Sequence, residues 1–175
     1  MADPLVRSAE SGDVACIALV HVTSWQDAYR GHMPQDFLDG LDVGHRTEAW
    51  RRRLPAAQRS RGDVLVVESA GQVAGFAGFG PSRDADADSG QTGELAAIYL
   101  RPGSIGQGLG RLLMMAVVSG LTDLGYADAT LWVLDGNARA RRFYERAGWT
   151  LDGADTTDDS RGFTIREVRY RRRLP

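Results

Sequence analysis

Gly106, Gly108 and Gly110 stand at alternate positions between two apolar stretches, and no other residues of this chain are so well suited to holding an anion. Residues 94 to 101 are β-competent and, between Glu94 and Arg101, apolar, and Pro102, which has no N–H for a ladder, ends any strand there. Beyond the glycines, Leu109, Leu112, Leu113, Ala116, Val117, Leu121 and Leu124 recur at the spacing of one helix face. The unit reads strand, glycine turn, helix. Glycines at a helix N-terminus let a ligand come close to the backbone, and the first-turn N–H groups point outward without partners. Such a site favours an anion, most often a phosphate. The stretch predicts a phosphate-bearing cofactor.

Two well-known phosphate loops are excluded. A Walker A loop closes with Gly-Lys-Ser/Thr, whereas here Gly110 is followed by Arg111, and all 21 Lys and Arg residues of the chain are Arg. A dinucleotide fingerprint needs a third glycine where Arg111 stands. The remaining pattern resembles the pyrophosphate loop of the GNAT acetyltransferase superfamily, Arg/Gln-x-x-Gly-x-Gly/Ala opening a helix after a strand that ends in x-Pro. On this chain it covers Ile105, Gly106, Gln107, Gly108, Leu109 and Gly110, with Arg111 following. Ile105 stands where the family usually has Arg or Gln, which removes a side-chain contact, but an amide cradle needs only backbone and glycines.

A second stretch, Leu131 to Trp149, resembles the C-terminal motif of the same superfamily: a strand, an Asn, a helix carrying Phe-Tyr, then Gly and an aromatic. Asn137 and Tyr144 are about two helical turns apart, on one face, with Arg141 between them. Ala140, Phe143 and Ala147 share the opposite, core-facing stripe. The resemblance implies acetyl-CoA as donor and no metal. It puts Asn137 and Arg141 against the donor, and the backbone of Ile98, Tyr99 and Leu100 along its pantetheine arm. Transfer from a thioester to an amine needs a neutral amine, a stabilised oxyanion and a protonated sulfur. The resemblance gives the last task to the Tyr144 hydroxyl and the amine's proton to Glu94, where many members carry a base. The plainer alternatives are an interfacial core tyrosine and a strand-capping carboxylate. In the family the first helix builds the acceptor pocket, which points to Tyr29 and Trp25, although core packing suits Trp25 well. The expected activity is acetyl transfer directly to an amine of a small molecule. An N-terminal acetyltransferase would share both motifs, and a non-catalytic acyl-CoA-binding module would need only the glycine loop. A homodimer is a family-level option.

The elements that must position these residues follow from periodicity and breakers. Leu5 to Ala9 reads as a strand. Ser11 or Asp13 then caps a helix that runs to about Tyr29. Pro34 opens a short helix closed by Gly40, and a third, Arg46 to Leu54, is expected to stop at Pro55. Val64 to Ala70 and Val73 to Phe79 form a hairpin about a Gly71-Gln72 turn, and Gly75, Gly78 and Gly80 mark candidate bulges. Residues 81 to 93 read as a mobile acidic loop able to attract a cationic substrate. Its Asp84, Asp86 and Asp88 are not a calcium loop, because Ser89 and Leu95 stand where Gly and Glu are required. Ala129 to Leu134 is a strand, Asn137 to Ala147 a helix, and 149–151 with 163–170 a terminal strand pair across an acidic loop. The order βααα-ββ-β-α-β-α-ββ predicts one α/β (α+β) domain over residues 1–175, with a mixed central sheet of about seven strands flanked by helices.

A formal net charge of -2 gives no electrostatic reason to expect nucleic acid. No stretch reaches membrane-helix length, and the N-terminal residues carry neither a basic nor an apolar signal region, so no membrane partner and a cytoplasmic location are expected. The single Cys16 lies in an apolar helical run and reads as a core thiol.

Overall fold

A computed structural model of the chain describes residues 3–175. Along the sequence lie β1 (Leu5–Ser8), α1 (Val14–Ala28), α2 (Gln35–Asp39), α3 (Val43–Arg59), β2 (Asp63–Ser69), β3 (Gln72–Pro81) and β4 (Thr92–Leu100). There follow α4 (Leu109–Asp123), β5 (Asp128–Leu134), α5 (Ala138–Arg146), β6 (Thr150–Asp158) and β7 (Ile165–Arg173). The strands form one seven-stranded sheet in the order β1-β2-β3-β4-β5-β7-β6. Every pairing is antiparallel except β4 with β5, which α4 connects. The element order and the mixed sheet are those expected from the sequence.

Both faces of the sheet are covered, which is why β2 is an unbroken apolar run rather than an alternating one. Val64 and Val66 pack with Ile17, Trp50 and Phe76 beneath α1 and α3. Leu65 and Val67 point the other way, into the core under α4 with Leu113, Val117 and Leu121. A small third cluster joins Met33 and Leu38 to Leu134 and Ile165, tying the α1–α2 region to the ends of β5 and β7.

One local feature shapes the middle of the sheet. β4 and β5 pair over only three residues, Thr92 to Glu94 against Asp128 to Thr130. Beyond them β4 keeps its ladder with β3 but has none with β5. The register of β4 on β3 also shifts between Gly78 and Phe79, where Ala96 is the extra residue of a bulge. A bulge bends its strand and increases twist, so β4 diverges from β5 where the bulge begins.

Four expectations need correction. α3 continues through Pro55 to Arg59. The carbonyl left without a donor is that of Arg51, whose turn is exposed, so water takes the bond. The hairpin turns at Ala70 and Gly71, both at positive φ (51° and 74°), rather than at Gly71-Gln72. The acidic stretch after Trp149 is not a loop but most of β6. Its Asp152 and Asp155 face Arg169, Arg171 and Arg166 of β7, and such cross-strand pairs offset the poor strand propensity of aspartate. Finally, the acidic loop is tied down. Asp84 accepts hydrogen bonds from Trp132 Nε1 (2.8 Å), Thr130 Oγ1 (3.1 Å) and Arg169 Nη1 (3.2 Å), and Asp86 takes a bidentate pair from Arg169 (2.6 and 2.7 Å). These charges are spent on arginine, so the loop is neither loose nor a free anionic surface.

Candidate active site

The divergence of β4 from β5 opens a cleft of about 380 Å³. Its floor is the unladdered edge of β4 from Leu95 to Leu100, and its far side is Trp132 and Val133 of β5. α1 closes one flank through Ser24, whose Oγ donates to the Leu100 carbonyl at 2.6 Å and so fixes the end of β4. α5 closes the other through Ala140, Phe143 and Tyr144.

The mouth of the cleft is the glycine turn. Gly106 and Gly108 have φ of 85° and 82°, and a Cβ built on either would meet nothing within 4 Å. Both therefore need glycine for their torsion and leave open space above the backbone. Gly108 is the N-cap of α4. Its carbonyl accepts from the N–H groups of Arg111 and Leu112, which leaves those of Leu109 and Gly110 as unpartnered first-turn donors among the described residues. Gly110 differs: a Cβ there would make ordinary contact with the Phe143 ring at 3.4 Å and Leu100 Cδ1 at 3.5 Å, so it faces protein rather than open space. Two cations stand at this mouth, Arg111 and Arg139, both exposed. Outward amides, open glycines and two arginines fit a diphosphate.

Of the other residues singled out in the sequence, Ile98, Tyr99, Leu100, Ile105 and Asn137 also line the cleft. Asn137 caps α5 as well, its Oδ1 accepting from the Ala140 N–H. Leu109 offers only its amide, since its side chain is in the core. Gln107 turns its Nε2 onto the Gly103 carbonyl and closes the loop on itself. Arg141 is a correction. It points away from the cleft, held by Asp135 (2.7 Å) and the Tyr170 hydroxyl (3.1 Å), and Arg139 takes the cleft side instead. Phase explains it: the cleft face of α5 carries Ala140 and Phe143, and Arg141, two residues before Phe143, projects from the other side of a helix that turns about 100° per residue. Phe143 and Ala140, expected to face only the core, line the cleft too.

A second cavity, about 450 Å³, lies behind the first. Trp25, Met33, Leu134 and Ile165 give it apolar walls, and Asp84, Glu94, Asp158 and Glu167 give it carboxylates. The two cavities share five lining residues: Tyr29, Leu95, Ala96, Tyr99 and Trp132. They meet at the bulge of β4. Glu94 opens on this second cavity, buried and bound to Arg83, whose Nε and backbone N–H both donate to Oε2 at 3.0 and 3.1 Å. Trp25 lines the cavity and stacks edge-on against Tyr29 at 5.0 Å between centroids.

Three tyrosines gather at the junction. The hydroxyls of Tyr29 and Tyr99 are 3.3 Å apart, and Tyr144 faces them from α5. Burial pushes the phenol of each above its ordinary value, so each stays protonated at neutral pH. Among the described residues no protein group bonds the Tyr144 hydroxyl, which leaves its proton free for a ligand. The sequence reading missed Arg139, Met33, Trp132 and Glu167. For Glu167 a signal existed, a lone carboxylate between the apolar Ile165 and Val168 in a strand.

A profile of the Acetyltransferase (GNAT) family matches residues 24–149. The uncharacterised N-acetyltransferase YuaI of Bacillus subtilis is 35% identical over 132 residues, 75% of this chain and 72% of that protein. Among solved structures, PaiA N-acetyltransferase from Thermoplasma acidophilum in complex with coenzyme A superposes with a TM-score of 0.79 at 16% identity, covering 99% of this chain and 100% of the other. YncA from Salmonella typhimurium with its cofactor acetyl-CoA gives 0.74 at 23% identity, covering 99% and 95%. Among the described residues no helix is long and apolar enough to cross a membrane, and no group of three metal-ligating side chains occurs. With the strand–glycine turn–helix unit, the divergent sheet and the tyrosine-lined junction in place, these matches identify the chain as a member of the GNAT acetyltransferase family.

Proposed function

We propose that the protein moves the acetyl group of acetyl-CoA directly onto an amine of a small molecule. The observation that carries this reading is the junction of two cavities at Tyr29, Ala96 and Tyr99, one fitted to a diphosphate-bearing donor and the other to an acceptor. Relatives of this fold bound to coenzyme A and to acetyl-CoA support the choice of donor. The unpartnered amides of Leu109 and Gly110, with Arg111 and Arg139, hold the diphosphate. The β4 edge at Ile98 to Leu100 holds the arm, and Tyr144 gives its proton to the departing sulfur. Glu94 and Glu167 supply the carboxylates on the acceptor side. A cavity of about 450 Å³ is in the small-molecule range of roughly 300–1,000 Å³, which favours a compact amine over a peptide.

Transfer is direct because, among the described residues, neither cavity offers an activated nucleophile: the Ser24 hydroxyl on the donor cleft is held by the Leu100 carbonyl, with no base bonded to it. Cys16, half-buried in α1, lines neither of them, and a lone thiol suits a reducing cytoplasm. Thiol release from acetyl-CoA, measured against a panel of small amines and a panel of N-terminal peptides, tests the reading. Turnover with small amines is expected. Turnover with peptides alone would make the protein an N-terminal acetyltransferase, and tight acetyl-CoA binding with turnover of neither would make it a binding module. Mass spectrometry after incubation with acetyl-CoA alone should find no adduct on Cys16.

A further inference from the structure

Four carboxylates line the acceptor cavity, and three of them are engaged. Glu94 takes three N–H donors from Arg83 across both of its oxygens. Asp84 accepts from Thr130, Trp132 and Arg169. Asp158 accepts from Arg161 at 2.9 Å and from the Ser160 N–H at 2.8 Å. Glu167 is different: among the described residues it has neither a hydrogen bond nor an ion pair, although it is half-buried.

Its place in the sheet explains where it points. Glu167 lies in β7 opposite Leu134 of β5 and Thr156 of β6. Strand alternation sets it on the face shared by Ile165 and Arg169, which is the cavity face. Across the cavity its charge is felt by the Tyr29 and Tyr99 hydroxyls, the two groups that mark the junction with the donor cleft. A half-buried carboxylate without a partner is costly unless something charged completes it. An acceptor arriving as an ammonium ion is that completion.

We propose that Glu167, rather than Glu94, is the catalytic base: it draws the acceptor's ammonium group into the cavity and takes its proton. This rests on the amine-acetyltransferase reading above. The ammonium gives one proton to a Glu167 oxygen, and the freed lone pair on nitrogen attacks the thioester carbonyl. The C–N bond forms and the C–S bond breaks, the sulfur taking the Tyr144 proton. The second proton of the attacking nitrogen returns to Tyr144 through solvent, and Glu167 releases its own to bulk water. Burial holds the Glu167 carboxyl above the ordinary carboxylate range; Arg161 opposes this and Asp158 adds to it. A base nearer the working pH is a better one. Asp84 and Glu94, also on this cavity, already have their charges met by Arg169 and Arg83.

The test is the pH dependence of kcat/KM, with whichever amine of the panel the wild-type protein turns over fastest. Glu167→Gln loses no hydrogen bond, so it should fold and keep its acetyl-CoA Kd within twofold. Its kcat/KM at neutral pH should fall by roughly 10²-fold, with the acid limb of the profile abolished. Glu167→Asp should keep the limb at a reduced kcat, and this variant carries the test if the first fails to fold. Glu94→Gln should retain the acid limb. Loss of the limb in Glu94→Gln together with its retention in Glu167→Gln overturns the proposal, as does a Glu167→Gln enzyme within threefold of wild type. If wild-type protein consumes acetyl-CoA with no amine, the transferase reading has failed first and the base assignment goes with it.

Discussion

Replacing Gly108 by alanine separates two consequences of one glycine. At φ 82° an L-residue is left-handed, which costs about 1–2 kcal/mol. No protein atom lies within 4 Å of the new Cβ, so the whole stability loss is torsional. For a chain of this length that lowers Tm by about 2–8 °C. The methyl group also enters the space above the free amides of Leu109 and Gly110. Losing one charge-assisted hydrogen bond there is worth about 1.5–3 kcal/mol, hence a rise in acetyl-CoA Kd of at least about tenfold. Gly125 is the matched control. It sits just past the other end of α4 at φ 83°, and its Cβ would meet only Arg61 Nη2 at 3.9 Å. Gly125→Ala should therefore lose similar stability with an unchanged Kd. Calorimetry of acetyl-CoA binding and thermal scans on both variants decide the matter. Should Gly108→Ala bind within threefold of wild type while showing the thermal loss, the glycine turn is not where the phosphates sit.

Three further outcomes are expected. Tyr144→Phe keeps the ring and should leave acetyl-CoA Kd within a few-fold while kcat falls by roughly 10²-fold; full kcat with chemistry rate-limiting would make Tyr144 a packing residue. Arg169, 7% exposed at its side chain, neutralises Asp84 and Asp152, themselves 12% and 15% exposed. Arg169→Met leaves Asp84 without a counter-charge and Asp152 with only Arg171 at 3.4 Å, and should cost roughly 3 kcal/mol in urea unfolding, with faster amide exchange over residues 84–91. His21, 6% exposed with its Nδ1 accepting from Trp50, is held down to about 3 by burial, with Arg46 and Arg53 adding to the effect. Its folded value is depressed from 6.5, so the stability it contributes is full above that pH and is lost as pH falls toward 3. The loss is roughly 3 kcal/mol by pH 4, and His21→Asn, which keeps an acceptor for Trp50, should flatten that part of the curve in urea titrations.

Much of this was legible in the sequence because its signals are local. The glycine turn, the α4 stripe and the helix from Asn137 each depend on residues a few positions apart. Pairing across the sheet was not legible. Asp152 and Asp155 look like loop residues until Arg166, Arg169 and Arg171 are brought alongside. The same holds for the acidic loop, which one arginine more than eighty positions away fastens down. Glu94 was marked as the amine's base, and its engagement by Arg83, which depends on how a loop folds back, could not be read from the sequence. Arg141 went wrong for a smaller reason: the cleft face of α5 is the one that carries Ala140 and Phe143, the stripe read as facing only the core. The bulge at Ala96, on which both cavities depend, has no residue type that announces it.

The divergence of β4 from β5 also bears on solubility. A strand edge with free N–H and C=O groups invites another chain to add to it, and at the rim of a sheet it promotes aggregation. Here six residues of such an edge, Leu95 to Leu100, lie in the middle of the sheet, flanked by α1 and α5. A strand with side chains on both faces cannot enter between those helices, whereas a thin unbranched ligand can. The open edge is thus placed where the helices on either side shield it from other copies of the chain.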